Sequence, residues 1–438
     1  MERARNGSGW YVVGLLSLLY GLSIVDRFAL ALLAEPIIDA FALSASQMGL
    51  LLGVGFALLY SVTGLPLAHL LDRSVRKYVL AAGVAIWSLC TILSAFSQDF
   101  LQLLICRSGV AIGEAVLTPA AISLIADLFD QDRRRLPISV YSSVSSFMVT
   151  GSFILGAAAL QVATSWSPSI GMAPWRITLL IVGAPGLVMA LIFLLTVREP
   201  ARHHDAGPLA QGGSTADLIA YLRANWRFYL PFYLALGSMS ALLFAILSWS
   251  ATLLAREHGY GTADAGYMFG LIGIGTGLVG TFLWPAIAAR IDRKGRGDGL
   301  LHMILTCVVI GSLGSFLAMT VGSRLMLFVG LGLAMATFPP INTALSSLLI
   351  QGCGPAAIRA RLIAINILVM NLMGYTIGPQ FVGAYIDVPG NQISDAIALL
   401  AAVAGPVAAI SLLVARRSFA PAGEARAPVP DMGAPSFS

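Results

Sequence analysis

Charge is what this 438-residue chain has least of: Asp, Glu, Lys and Arg make up 11% of it. A soluble domain carries about 25%. With 58% hydrophobic residues and a mean hydropathy of +0.85, a water-soluble protein of this size would expose large apolar patches and aggregate. Disorder, nucleic-acid binding and a secreted disulfide scaffold are excluded as readings of the whole chain. There are only four cysteines, Cys90, Cys106, Cys307 and Cys353, with no C-x-x-C spacing. They read as small buried hydrophobes. No Walker motif, dinucleotide fingerprint or H-E-x-x-H is present, so neither an ATP-driven pump nor a bound cofactor is expected. The five histidines (His69, His203, His204, His258, His302) fall into no metal-ligand pattern.

What is abundant is apolar length. A helix crossing the hydrocarbon needs about 20 mainly apolar residues. Runs of that kind cover 10–34, 46–70, 78–97, 100–128, 136–163, 175–197, 227–254, 264–289, 299–321, 324–350, 357–386 and 394–415. The first run is too long for a signal-peptide core and is read as an uncleaved span. Glycines such as Gly270, Gly273, Gly275, Gly277 and Gly280 cluster inside spans, where small residues let helices approach closely.

Basic residues set the orientation. Of 26 Lys and Arg, 21 fall on one side, in the termini and alternate loops; Arg176, Arg256 and Arg324 fall on the other, and Arg27 and Arg107 lie within spans. The positive-inside rule then puts both termini and the polar middle stretch in the cytoplasm. The organisation expected is a cytoplasmic N-terminus (1–9), a six-helix bundle (10–197), a cytoplasmic linker (198–226) in which Ser214 to Asn225 forms a short interfacial helix, a second bundle (227–415) and a disordered tail (416–438).

Asp72-Arg73-Ser74-Val75-Arg76-Lys77 follows the second span and Asp292-Arg293-Lys294-Gly295-Arg296 the eighth, half a chain later. Two six-helix halves, each with D-R-x-x-R after its second helix, resemble the major facilitator superfamily, whose signature there is G-x-L-A-D-R-x-G-R-R/K. The first copy departs at Ala68 and Val75, where Gly is usual, and keeps the charges. Arg107 and Gly113 match a second mark, R-x-x-x-x-x-G. Asp26-Arg27-Phe28, Trp87-Ser88-Leu89, Gly113-Glu114-Ala115, Ala126-Asp127-Leu128-Phe129 and Arg198-Glu199-Pro200 together look like the Spinster branch. The first Gly of its G-x-G-E-A element is Ala111 here. The resemblance implies an all-α membrane protein of twelve helices in two pseudo-symmetric bundles, in a bacterial inner membrane. It implies a carrier of lysophospholipids or sphingoid-type lipids. Relatives with a similar Asp-Arg in helix 1 carry small organic anions, which keeps a carrier of organic anions or drugs as the alternative.

Asp26, Arg27, Arg107 and Glu114 sit inside apolar spans. A charge at the bilayer centre costs at least about 2.5 to 3.5 kcal/mol, so these groups should face a cavity or each other. Asp26 and Arg27 project about 100° apart on a helix and cannot pair well together. Arg107 and Glu114, two turns apart, share a face. Arg27 with Glu114 is the preferred pair across helices 1 and 4, with Arg107 and Asp26 a second. Such pairs can be permanent locks. In the functional reading Asp26 and Glu114 exchange protons, since burial favours a neutral carboxyl and a nearby Arg favours the charged one. Protonation then frees Arg27 for an anionic headgroup. The second half offers apolar groups and amides, including Asn342, Asn366, Asn371 and Gln380. Arg27, Arg107, Asn342, Asn366 and Asn371 are the candidate solute contacts, the amides competing with helix-to-helix hydrogen bonding.

The motif charges Asp72, Arg73, Arg76 and Asp127, with Asp292, Arg293 and Arg296, are read as a cytoplasmic gate. Asp72 would meet the positive N-terminal end of helix 11, and Arg76 would bind Asp127. No His or Ser nucleophile pair accompanies Asp26 or Glu114, so an intramembrane hydrolase or acyltransferase is not expected. The chain reads as a proton-coupled, alternating-access carrier and not an enzyme. Its expected partners are an amphipathic lipid or organic anion, protons and the bilayer, with no nucleic acid, and it is expected to be a monomer.

Overall fold

The computed structural model describes residues 2–201, 215–292, 298–355 and 357–419. Among them there is no strand. Twelve helices are long and apolar enough to span a membrane: α1 Gly9–Leu32, α2 Ala45–Gly64, α3 Arg76–Ser94, α4 Phe100–Leu128, α5 Arg135–Ile170, α6 Pro174–Thr196, α7 Trp226–His258, α8 Thr262–Ile291, α9 Gly299–Thr320, α10 Arg324–Cys353, α11 Arg359–Ile386 and α12 Ile393–Arg417. They match the twelve expected runs. A short helix, Thr215–Ala224, lies between α6 and α7, where the sequence suggested one. The tail from Ala420 lies outside the described residues.

Local chemistry sets the helix ends. Ser44 and Gln47 form a reciprocal capping box at the start of α2. The Asp99 carboxylate accepts the Gln102 N–H at the start of α4, at 2.8 Å. Gly171 and Gly259, both at φ 73°, close α5 and α7 in the left-handed region. These caps lie beyond the apolar runs, so α5 and α7 extend past the ends expected from hydropathy, to Ile170 and His258.

Among the described residues, three spans are interrupted. α2 breaks at Gly53, between helical segments Ala45–Leu52 and Val54–Arg73. α4 breaks after Glu114 and resumes at Leu117, because Pro119 has no N–H to offer the Ala115 carbonyl. α10 passes through a π-helical turn, Ile341–Leu345, directly after Pro339-Pro340.

The helices form two groups of six. We name the end bearing the start of α1 and the end of α12 the linker side, and the opposite end the far side. Among the described residues, the contacts joining α1–α6 to α7–α12 gather at mid-depth and on the far side. There the backbones of α2 and α11 nearly touch: a Cβ added at Gly53 would lie 2.1 Å from the Tyr375 carbonyl oxygen, and one at Gly383 would lie 2.4 Å from that of Ala45. α5 and α8 close in the same way, through Gly266, Gly270 and Gly273 against Ala157, Ile154 and Thr150. Nearer the linker side, Gly64 of α2 has open space where a Cβ would go. Of the glycines singled out from sequence, Gly270 and Gly273 pack on α5, Gly277 and Gly280 on α10, and Gly275 on nothing within 4 Å.

Polar latches reinforce the far-side seam. Arg256 Nε donates to Glu35 Oε2 at 2.5 Å. The Asp387 carboxylate accepts the backbone N–H groups of Ala45 (2.6 Å) and Ser46 (3.0 Å) at the start of α2. Partial burial pushes the Asp387 carboxyl up, but these hydrogen bonds outweigh it and hold the group below the ordinary aspartate value. Tyr267 donates to Gln161 at 2.9 Å.

Candidate functional site

The membrane-embedded charges meet where α1, α2, α4 and α11 converge. Arg27 projects from α1 toward α4. Its Nε donates to Glu114 Oε2 at 3.1 Å, and its Nη2 reaches the same oxygen. The Glu114 side chain is 1% exposed and that of Arg27 17%, so the cation, rather than the carboxylate, borders open space. This is the preferred pair of the sequence reading.

Nη1 of Arg27 donates to the Tyr375 hydroxyl at 3.3 Å. Tyr375 belongs to α11, so the guanidinium is held from both halves. The Arg27 guanidinium also lies 4.6 Å from the Phe56 ring centroid and 5.3 Å from that of Tyr60, and such faces attract cations. Tyr375 packs in turn on Phe244, with centroids 3.8 Å apart, and on Phe56 at 5.7 Å. Tyr20 and Tyr141 stack at 4.9 Å.

The second expected pair is not formed. Arg107 Nη2 donates to the Arg27 backbone carbonyl at 3.0 Å and its guanidinium sits 4.9 Å from the Phe56 centroid. Asp26 turns instead toward α3, where Thr91 Oγ1 donates to its Oδ2 at 2.5 Å. The reason is the angle between neighbouring residues of a helix: with Arg27 aimed at α4, Asp26 is directed to the next helix round. Close approach of α3 and α4 builds this pocket, since an added Cβ at Gly113 would lie 2.6 Å from the Gly83 carbonyl. Glu114 Oε1 and Arg107 Nε are buried without a hydrogen-bond partner. One oxygen of Glu114 therefore has an unused lone pair, the atom a proton would need.

The amides divide. Asn366 is fully buried and donates to Ser346 at 3.1 Å, which makes it a strut between α11 and α10 and takes it off the solute-contacting wall. Asn342, on the π-helical turn, accepts a hydrogen bond from Ser240 of α7 at 3.0 Å. Asn371 is half-buried. Gln380 Oε1 is buried without a partner.

At the linker side, Arg76 is 3% exposed and forms the expected pair, its Nη1 donating to Asp127 Oδ2 at 2.5 Å. It also binds Glu199 Oε1 (2.8 Å) and Ser123 Oγ (2.9 Å), while Glu199 Oε2 accepts the Lys77 N–H at 2.9 Å. Among the described residues, the network ties the ends of α3, α4 and α6. Asp72 and Arg73 are exposed. Arg293, Arg296 and the Asp292 side chain lie outside the described residues.

Sequence reasoning missed Tyr375, Phe56, Tyr60 and Thr91, and took Glu199 as a family mark without its ion pair. A hydroxyl or ring inside an apolar run carries no signal of its own; only the charge on Arg27 indicates that partners exist nearby.

Twelve spans in two groups of six, interrupted around a membrane-embedded ion pair that both groups hold, define a helical membrane carrier. Residues 16–379 match the profile described as Major Facilitator Superfamily, and the chain belongs to that family, in its Spinster branch. It is 31% identical to an MFS-type efflux pump of Mycolicibacterium smegmatis over 331 residues, 75% of this chain and 74% of that protein. It is 29% identical to protein spinster homolog 1 of Bos taurus over 414 residues, 87% of this chain and 74% of that one. Among solved structures it resembles a bacterial homolog of the human lysosomal transporter Spinster in an inward-facing and occupied conformation. The TM-score is 0.79 and the identity 26%, over 93% of this chain and 97% of that one. The protein is a multi-pass integral membrane transporter.

Proposed function

We propose that the protein is a proton-coupled secondary carrier of an amphipathic lipid, of the lysophospholipid or sphingoid type, working by alternating access. The linker side faces the cytoplasm, because 21 of the 26 basic residues flank it. With the far-side seam packed, the conformation is inward-facing. The observation that carries the reading is the Arg27 cluster: a partly exposed guanidinium, backed by a buried carboxylate and framed by aromatic faces. Such a group binds an anionic headgroup. The apolar wall of the second half takes the chain.

Coupling follows from competition for Arg27. A proton on Glu114 releases the guanidinium; an anion on Arg27 deprives the carboxylate of its counter-ion and favours proton uptake. Proton and anion therefore bind together. A cationic headgroup would compete with the proton for Glu114 and give exchange. Asp26, joined to Thr91, is a second proton acceptor next to the same pair. Asp72, Arg73, Arg76, Asp127, Asp292, Arg293 and Arg296 serve the cytoplasmic gate.

A second reading, a carrier of small organic anions or drugs, is favoured by the similarity to an efflux pump. Uptake into liposomes of lysolipids, sphingoid bases and small anions, compared at two pH values, separates the two. Uptake of lysolipids that rises with the pH gradient supports the lipid carrier. Transport of small anions with no competition from long acyl chains overturns it. Glu114→Gln should remove the pH dependence while leaving expression and the unfolding temperature nearly unchanged. An equal loss of folded protein would mark the pair as a static lock.

A further inference from the structure

Tyr375 occupies a position that neither the ion pair nor the seam explains alone. Its hydroxyl accepts from Arg27. Its backbone carbonyl faces Gly53 at the break in α2. That carbonyl is available because residue 379, four positions on, is Pro and has no N–H to give it. The ring is wedged against Phe244 of α7 and Phe56 of α2. One residue thus touches the solute-binding cation with its side chain and the far-side seam with its main chain. Among the described residues, the other polar contacts across the halves, Glu35 with Arg256, Asp387 with Ala45 and Ser46, and Gln161 with Tyr267, lie farther toward the far side.

We infer that Tyr375 is a positioning residue that makes the far-side seal conditional on Arg27 being unoccupied. In the empty carrier, Arg27 bridges Glu114 and Tyr375 and so stitches α1 and α4 to α11. An anion that draws the guanidinium away removes the stitch and frees α2 and α11 to part. Without the hydroxyl the seal no longer registers occupancy, and the far side opens in the absence of solute. This rests on the reading that Arg27 receives the anion, but the seal itself is tested with no solute present.

The test uses the full chain in nanodiscs, with the four native cysteines replaced and Ala157→Cys as probe. Ala157 is fully buried in the seam opposite Gly266. A membrane-impermeant maleimide should label the probe about tenfold faster in Tyr375→Phe than in the parent, since a hydrogen bond to a charged group is lost. Arg27→Lys, which keeps the charge but lacks the fork to reach both partners, should behave like Tyr375→Phe. Dodecyl phosphate should accelerate labelling of the parent and add nothing in Tyr375→Phe, a response that mere loosening of the fold would not abolish. Equal basal labelling of parent and both variants would overturn the inference. Failure of the reading that Arg27 receives the anion would appear instead as dodecyl phosphate leaving the parent's labelling unchanged, with the basal difference between parent and Tyr375→Phe intact.

Discussion

Gly53→Ala tests the far-side seam with the addition of one carbon atom. The new Cβ would lie 2.1 Å from the Tyr375 oxygen, where ordinary contact begins at 3.4 Å. The obstacle is a backbone carbonyl, which cannot rotate away as a side chain could. The α2 and α11 backbones must therefore separate by about 1.3 Å, the difference between those distances. Overpacking of this kind costs about 1–3 kcal/mol, and the clash with Tyr375 is felt only where the two helices touch, while the 3.1 Å approach to the Gly49 carbonyl lies within α2 itself. The sealed state should lose population by roughly 5- to 150-fold relative to the open one. Spin labels at the exposed far-side positions Ser165 and Val388, one in each half, report the change as a longer distance in pulsed dipolar spectra. Gly64→Ala is the control, since a Cβ there meets nothing within 4 Å; it should leave the distribution where it was. A Gly53→Ala protein with the parent distance distribution would refute the seam as the element that closes the far side.

The remaining predictions concern the charges. Arg76→Ala removes the guanidinium that Asp127 and Glu199 share, and breaking such a buried network costs about 3–5 kcal/mol; a thermal-shift assay in detergent should show the largest loss among single Arg variants, with Arg76→Lys recovering only part. Asp387→Asn weakens the hold on the start of α2 and should raise far-side labelling at the Ala157→Cys probe. Because the Asp387 carboxyl is held below the ordinary 3.8, the stability it gives the seal is present above that value and lost as pH falls through the lower one. Acidification from pH 8 to 5 should therefore leave this latch intact, and labelling that rises across that range in the parent but not in Asp387→Asn would contradict the assignment.

Much of the architecture could be read from residue order alone. Twelve apolar runs predict twelve spans because a chain in lipid must satisfy its own backbone within each segment. Helix ends were less legible, since capping residues such as Gly171 and Gly259 lie beyond the hydrocarbon-length signal. The Arg27–Glu114 pair was readable from the cost of isolated charge in lipid. Asp26 was misdirected because sequence gives the angle between successive side chains but not the rotation of the helix they share. Asn366 stood open between a cavity amide and a strut between helices, because burial within a half and exposure to a chamber are the same in a hydropathy pattern; its bond to Ser346 is the strut. Tyr375 and the latches Glu35, Arg256 and Asp387 were invisible for a different reason: they depend on how two halves, distant in the chain, are tilted together.

The division of labour between main chain and side chains has a practical outcome. The halves meet at the α2–α11 and α5–α8 crossings on bare peptide surfaces of glycine, whereas the Arg27 guanidinium is held by side chains, those of Glu114, Tyr375, Phe56 and Tyr60. Exchanging Tyr60, which faces Arg27, would recut the proposed binding wall, whereas exchanging Phe56, packed on Tyr375, would disturb the seam as well.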